Sequence, residues 1–267
     1  MAKSGEIDYL KNLSPADVWH AVHKPFSDDN CAGYLFNMGA VFSLLPPRPA
    51  RLLDLGCGTG WTSIFFARAG YDVVGADIAP DMIHHADQMR RQAGLDNLHF
   101  VVSDYEHLSF TSEFDVVVFY DSLHHAVDEE LAVRKAFQAL RPGGRCVTSE
   151  PGEGHHDSEI ATEAVRRFGV TEKDMPPAKI IELGRRAGFT SFEVFPHGFS
   201  NLLFDYHTEP APAPAVRNPI KGLLHRFVRL CLRMDRVTYE STVFRYRHLA
   251  SQRRALYRNG GLVLMVK

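Results

Sequence analysis

Arg51-Leu52-Leu53-Asp54-Leu55-Gly56-Cys57-Gly58-Thr59-Gly60-Trp61 is an apolar segment that runs into three alternating glycines. Leu52, Leu53 and Leu55 read as a short buried strand. The glycines lack a Cβ, so the backbone there can take positive φ and approach a ligand closely. From Thr59 the pattern turns helical, with Ile64, Phe65, Ala67 and Arg68 following. A helix N-terminus presents unpaired N–H groups and partial positive charge, which suits an anionic ligand group.

A second strand follows at Tyr71-Asp72-Val73-Val74-Gly75-Ala76 and ends at Asp77. An acid about twenty residues beyond a glycine turn, at the end of the next strand, suits ribose hydroxyls. The spacing then separates the nucleoside binders. A dinucleotide fingerprint needs glycine at position 61, where Trp61 stands. A phosphate-cradling P-loop needs Gly-Lys-Ser/Thr, which does not follow.

Asp54-x-Gly56-x-Gly58-x-Gly60, with a following strand ending in Asp77, resembles the first motifs of class I S-adenosylmethionine-dependent methyltransferases. The resemblance continues through Phe100-Val101-Val102-Ser103-Asp104, Phe114-Asp115-Val116-Val117-Val118-Phe119 and Leu140-Arg141-Pro142-Gly143-Gly144-Arg145, and so covers roughly residues 50–150. Within that class it resembles the methyltransferase type 11, UbiE-like enzymes with small-molecule acceptors. It implies S-adenosyl-L-methionine as cofactor. The implied cofactor contacts are Asp54, Gly56, Cys57, Gly58, Gly60, Asp77 on the ribose diol, Ile78 on adenine, Asp104 with Tyr105 at the adenine amino group, and Asp121 at the methionyl ammonium. Asp77, Asp104 and Asp121 each also have a plainer reading as a turn or capping residue.

The 267 residues carry a net charge of −2, with 45% hydrophobic and 23% charged residues. Those values suit a soluble globular chain able to bury a full core. Cys31, Cys57, Cys146 and Cys231 are scattered, without a C-x-x-C pair, so neither a zinc site nor a disulfide framework is expected. Free thiols and the lack of an apolar signal segment at Met1–Glu6 point to a cytoplasmic setting. No apolar run approaches the length that spans a bilayer.

Strands and helices alternate from 50 to 150, which predicts a parallel sheet covered on both faces. Helices are expected at 34–45, 60–69, 80–93, 128–140, 158–168 and 177–187. A fifth strand is expected at Cys146–Ser149, a sixth at Ser191–Phe195 and a last one at Gly261–Lys267. The family resemblance makes that last strand antiparallel and a neighbour of the sixth. The expected fold is a Rossmann-like, doubly wound seven-stranded α/β sheet. Residues 1–45 would form an N-terminal lid, irregular to about residue 33. The core would be 46–197 plus 259–267.

Residues 198–258 depart from the family pattern. Pro210, Pro212, Pro214 and Pro219 suit a semi-rigid linker. Two amphipathic helices are expected after it, at 220–236 and 239–257. Residues 217–258 hold eleven Lys/Arg against two acids, a local charge of +9. This suits contact with anionic membrane lipid, or a basic face used in covering the body or in self-association. No nucleic-acid module accompanies it.

In open α/β sheets ligands sit beyond the C-terminal strand ends. The catalytic candidates are therefore His124 and His125 after strand four, and Glu150 and His155 after strand five. A histidine there could deprotonate a hydroxyl acceptor. Only one of two adjacent histidines is expected to face the site. Glu150 beside a histidine could act as its orienter. Ligation of a metal by His155, His156 and Glu150 is weighed against a hydrogen-bonded loop, and the loop is the expectation. Trp19, Phe26 and Tyr34 either line the lid or anchor it. The segment Glu150–Met175 resembles bacterial methyltransferases of glycan and secondary metabolism. The expected reaction is methyl transfer to a small molecule, at an oxygen of a sugar, lipid-linked glycan or natural product. The alternatives are carbon methylation of a quinone precursor, a non-catalytic cofactor-binding protein, and a nicotinamide-dependent oxidoreductase.

Overall fold

The computed structural model describes residues 3–197 and 257–267. The expected linker and basic helices fall, but for Tyr257, outside the described residues. Met1–Phe199 with Leu256–Lys267 make up one compact unit, which includes the N-terminal segment, and Ser200–Ala255 the other.

Seven strands form one sheet: β1 Arg51–Leu55, β2 Asp72–Asp77, β3 Leu98–Val102, β4 Phe114–Tyr120, β5 Leu140–Glu150, β6 Ser191–Pro196 and β7 Gly261–Val266. Their order is β3-β2-β1-β4-β5-β7-β6. The first five are parallel, and β7 lies antiparallel between β5 and β6. The described helices are α1 Ser4–Asp8, α2 Pro15–Val22, α3 Cys31–Leu44, α4 Trp61–Arg68, α5 Pro80–Ala93, α6 Glu129–Ala139, α7 Glu159–Phe168 and α8 Pro177–Ala187.

Side chains alternate between the sheet's faces, and the sequence is apolar on both. Leu53, Leu55, Val117 and Phe119 pack with Ala132, Ala136 and Ile180 from α6 and α8. Leu52, Val116 and Val118 pack with Met38, Val41 and Phe66 from α3 and α4. Local signals set the helix ends. Pro80 opens α5, and Gly94 closes it at φ +64°. Asp128 caps α6 by accepting from the Leu131 N–H, and Ser158 caps α7 by accepting from Ala161.

Two expectations change. The N-terminal segment is helical rather than irregular, because it is fastened to the body at separate points. Thr59 Oγ1 donates to the Ala21 carbonyl at 2.7 Å, Thr171 N–H to Glu6 Oε1 at 2.7 Å, and Tyr120 Oη to the Tyr34 carbonyl at 3.1 Å. Strand β5 begins at Leu140 rather than Cys146, and a register shift between Phe114 and Val116 absorbs the glycine pair.

Candidate active site

Beyond the C-terminal ends of β1–β4 lies a cleft of about 290 Å³. A second volume of about 410 Å³ adjoins it over the glycine turn and is bordered by Tyr9, Lys24, Tyr34 and Arg167. Gly56, Gly58, Asp77, Ile78, Asp104, Tyr105, Asp121 and His125 all line the first. The sequence separates these residues, and parallel strand order brings them together.

The glycine turn is built for close approach. Gly56, Gly58 and Gly60 have φ of +71°, +53° and +85°. A Cβ on Gly56 would strike Tyr105 Oη and stand 2.6 Å from Ser122 Cβ. A Cβ on Gly58 would meet nothing and would project into open space. Gly60 differs from its expected role: it lines neither volume, and its Cβ would stand 2.8 Å from Phe100 and 2.9 Å from Ala86. Its glycine serves the packing of α4 against the sheet.

Asp54 is likewise placed behind the turn. It is buried, and Thr62 Oγ1 and Ser63 Oγ both donate to its Oδ2 at 2.6 Å. It braces the start of α4 rather than facing a ligand. Burial raises its carboxyl to about 6, against the opposing hydroxyl bonds. Cys57 is buried and borders the second volume.

Asp77 accepts from Gly58 N–H at 2.9 Å on Oδ2 and from Ala79 N–H at 2.9 Å on Oδ1. A carboxylate has about four acceptor positions, so capacity remains for a further donor. Burial raises its carboxyl, and the backbone donors restrain the rise. Asp104 is more fully engaged. Lys3 Nζ donates to Oδ2 at 2.6 Å, and His107 N–H donates to Oδ1 at 2.8 Å with its Nδ1 at 2.7 Å. A purine amino group reaching Asp104 competes with Lys3, which also holds Glu106 at 2.8 Å. Tyr105 Oη donates to the Ser122 carbonyl at 3.0 Å, which ties β3 to the loop after β4.

Past β4, Asp121 takes φ +53° and lines both volumes. The two histidines after it separate in role, as their adjacency predicts. His124 is 3% exposed. Its Nδ1 lies 2.7 Å from Oε2 of Glu150, which is 0% exposed. Glu150 also accepts from Ser122, Leu123 and His124 N–H at 3.1, 2.8 and 3.3 Å. Burial works against a charge on His124, but the Glu150 bond and charge, with Asp121 and Glu172, raise it to about 9. His124 is thus held against Glu150, which is its orienter, and does not line the cleft. His125 faces the cleft, with Nδ1 2.6 Å from the Thr171 carbonyl oxygen. A carbonyl only accepts, so Nδ1 carries the proton and neutral His125 keeps Nε2 as its acceptor.

His155 does not line the cleft. Its Nε2 is 2.8 Å from Glu172 Oε2, and its ring meets His124 edge-on at 5.1 Å. His156 instead pairs with Asp174, at 2.9 Å. Glu172, Glu6, Lys3 and Lys24 are cleft residues that sequence reasoning missed. Glu172 lies in the Glu150–Met175 segment, whose resemblance to other methyltransferases did not single it out, and the others lie in the polar N-terminal segment. Burial opposes ionisation of Glu172, yet the bond from His155 and the charges of His125, His124 and His155 hold its carboxyl below its ordinary value. Trp19 and Phe26 stay 58% and 72% exposed on the outer side, while Tyr34 borders the second volume.

Residues 48–184 match the family described as Methyltransferase domain. The chain belongs to this family. It is a class I methyltransferase domain, with the sheet order and antiparallel last strand that the motifs imply. Among curated relatives, it is 33% identical over 145 residues to the Vibrio parahaemolyticus ubiquinone/menaquinone biosynthesis C-methyltransferase UbiE, covering 51% of this chain and 56% of that one. It is 32% identical over 155 residues to the Psychrobacter arcticus ubiquinone biosynthesis O-methyltransferase, covering 54% and 60%. The chain thus spans about half the length of the curated relatives it matches. A Haemonchus contortus phosphoethanolamine N-methyltransferase 2 solved with S-adenosyl-L-methionine shares the fold at TM-score 0.62 and 19% identity, over 98% of this chain and 59% of that one.

The residues of the methyltransferase cleft fit the class cofactor, S-adenosyl-L-methionine. Gly56 and Gly58 supply bare backbone, Asp77 a carboxylate with free lone pairs, and Ile78 and Met82 an apolar wall. Lys24 supplies a cation at the glycine end, held 3.4 Å from Tyr34 Oη. No described helix is long and apolar enough to cross a membrane.

Proposed function

We propose that this domain methylates a hydroxyl oxygen of a small-molecule acceptor, with His125 as general base. One observation carries the reading: His125 lines the cleft with its Nδ1 on the Thr171 carbonyl oxygen, which leaves Nε2 to accept a proton. S-adenosylmethionine supplies an electrophilic methyl group on a good leaving group. The protein's task is then to hold the acceptor in line and remove its proton. Glu6 Oε1 lies 3.7 Å and Glu172 Oε1 4.0 Å from His125 Nδ1, so both stabilise the imidazolium that forms. Asp77 takes the ribose diol, and Ile78 packs on the adenine. Lys24 takes the methionyl carboxylate.

Sugar, lipid-linked glycan and natural-product hydroxyls remain in the acceptor class, and phenols join them. The likeness to ubiquinone O- and C-methyltransferases favours phenols. A phenol deprotonated by the same base is nucleophilic at oxygen and at ring carbon, so carbon methylation is the second reading. The test is a screen of phenolic, catechol and sugar acceptors for release of S-adenosylhomocysteine, with products assigned by mass spectrometry. His125→Gln should slow turnover by about 10²–10⁴-fold without weakening cofactor binding. Wild-type turnover in that variant removes the base assignment, and absence of cofactor binding at millimolar concentration removes the methyltransferase reading.

A further inference from the structure

Helix α1 and the residue before it link two walls of the first cleft volume. On one side α1 is pressed against the loop after α7. Gly5 is buried, and a Cβ there would strike the Gly169 carbonyl oxygen. Glu6 accepts from the Thr171 N–H at 2.7 Å, and Tyr9 meets the Phe168 ring edge-on at 4.9 Å. From that footing Lys3 reaches the wall beyond β3, where its Nζ lies 2.6 Å from Asp104 Oδ2 and 2.8 Å from Glu106 Oε2. Lys3, Glu6, Tyr9, Asp104 and Glu106 all line the cleft.

The two acids on Lys3 are held differently. Glu106 is 9% exposed, and its Oε1 accepts from the Asp128 N–H at 3.1 Å, so its carboxylate is fixed from the protein side. Among the described residues, Lys3 is the cation paired with Glu106. Asp104 has His107 along one edge: the His107 N–H donates to Oδ1 at 2.8 Å, and the ring Nδ1 lies 2.7 and 2.8 Å from the two oxygens. The Lys3 ammonium therefore stands where a purine amino group would approach Oδ2. An ammonium has three donors, so Lys3 can leave Asp104 and keep Glu106. Giving up one partly exposed ion pair costs little. Giving up both would leave the buried Glu106 carboxylate uncompensated, which costs more.

We propose that Lys3 is an exchangeable counter-ion at the nucleoside end of the cleft: an incoming purine amino group displaces it from Asp104, and it stays on Glu106 with α1 in place across the bound nucleoside. The exchange rests on the cofactor reading of Asp104. It makes Lys3 a determinant of affinity and of base selectivity. Adenine brings the donor that Asp104 accepts. A 6-oxo purine brings an oxygen that the ammonium can bond and the carboxylate repels.

Calorimetry on the full-length protein tests this with S-adenosylhomocysteine and its deaminated, 6-oxo analogue, at low and high salt. Lys3→Met should tighten the adenine ligand about 2–5-fold, the scale of an exposed ion pair, and should leave the 6-oxo analogue unchanged or weaker. That gain should shrink at high salt, which screens the wild-type pair. Glu106→Gln keeps an oxygen for the Asp128 N–H but removes the carboxylate to which Lys3 retreats, so it should weaken the adenine ligand. Circular dichroism checks the folding of each variant. An unchanged or weakened adenine ligand in folded Lys3→Met, or an equal gain on both ligands, overturns the exchange. Should Lys3→Met fold poorly, wild-type affinity in Glu106→Gln overturns it equally. Failure of the wild type to bind S-adenosylhomocysteine removes the cofactor reading and the exchange with it, whereas the other results leave cofactor binding standing.

Discussion

Asp54→Asn separates two uses of the acid before the glycine turn. Asp54 is 1% exposed, and its Oδ2 accepts from Thr62 and Ser63 hydroxyls at 2.6 Å. Burial raises its carboxyl from 3.8 to about 6. A carboxyl raised on folding binds a proton in the folded state that the unfolded chain has released. Its contribution is therefore complete below about pH 3.8 and is lost as pH rises through about 6. A shift of about two units corresponds to about 3 kcal/mol. Asparagine keeps an oxygen for both hydroxyls and never ionises. Urea unfolding from pH 4 to 7.5 should therefore show the variant gaining stability on wild type by up to about 3 kcal/mol across that window. Cofactor affinity measured by calorimetry should stay near wild type, because Asp54 lines neither cleft volume. A stability difference that does not move with pH, or that grows against the variant, refutes the burial argument. A collapse of cofactor affinity in a folded variant returns Asp54 to direct contact.

Asp77→Asn should weaken S-adenosylmethionine binding by about 10–100-fold, the value of hydrogen bonds to a charged group of about 1.5–3 kcal/mol; calorimetry reads this. Gly56→Ala should cost about 1–3 kcal/mol in stability from overpacking against Ser122 and Tyr105, and should abolish cofactor binding. Thermal melts with and without cofactor check both. The His124 ring should titrate by NMR above the ordinary imidazole range, near pH 9, and Glu150→Gln should bring it down. Its stabilising contribution is full below its unfolded value near 6.5 and is lost as pH rises through about 9.

The sheet was legible because its strands are apolar runs and its helices carry local stops. Pro80 and Gly94 give α5 its observed bounds. Of the N-terminal helices α3 was legible, but α1 and α2 were not: α2 has no buried residue, so its pattern carries no core face, and its place depends on distant partners such as Thr59. The motif residues split by direction. Gly56, Gly58, Asp77 and Asp121 face the cleft, whereas Asp54 and Gly60 serve the scaffold beneath it. A motif records that a residue type is needed, and both uses leave the same letters. Glu172 was covered by the resemblance of Glu150–Met175 but not singled out, because its meeting with His124 and His155 depends on where the loop after α7 returns.

Strand order explains how the cleft divides its work. Chain order reverses between β1 and β4, so the loops after those two neighbours diverge and leave a crevice between them. The ends of β1, β2 and β3 bring the glycine turn, Asp77 and Asp104 to one side. The ends of β4 and β5 bring Asp121, the histidines and Glu150 to the other. Each side has its own buried carboxylate holding a loop in place, Asp54 through two hydroxyls and Glu150 through three backbone N–H groups. The two sides meet at Ser122, whose N–H is held by Glu150 and whose Oγ donates to the Leu55 carbonyl at 2.7 Å, while Tyr105 Oη from the far side donates to its carbonyl at 3.0 Å. Loosening Glu150 should therefore reach the glycine turn through Ser122 as well as the half that meets the acceptor.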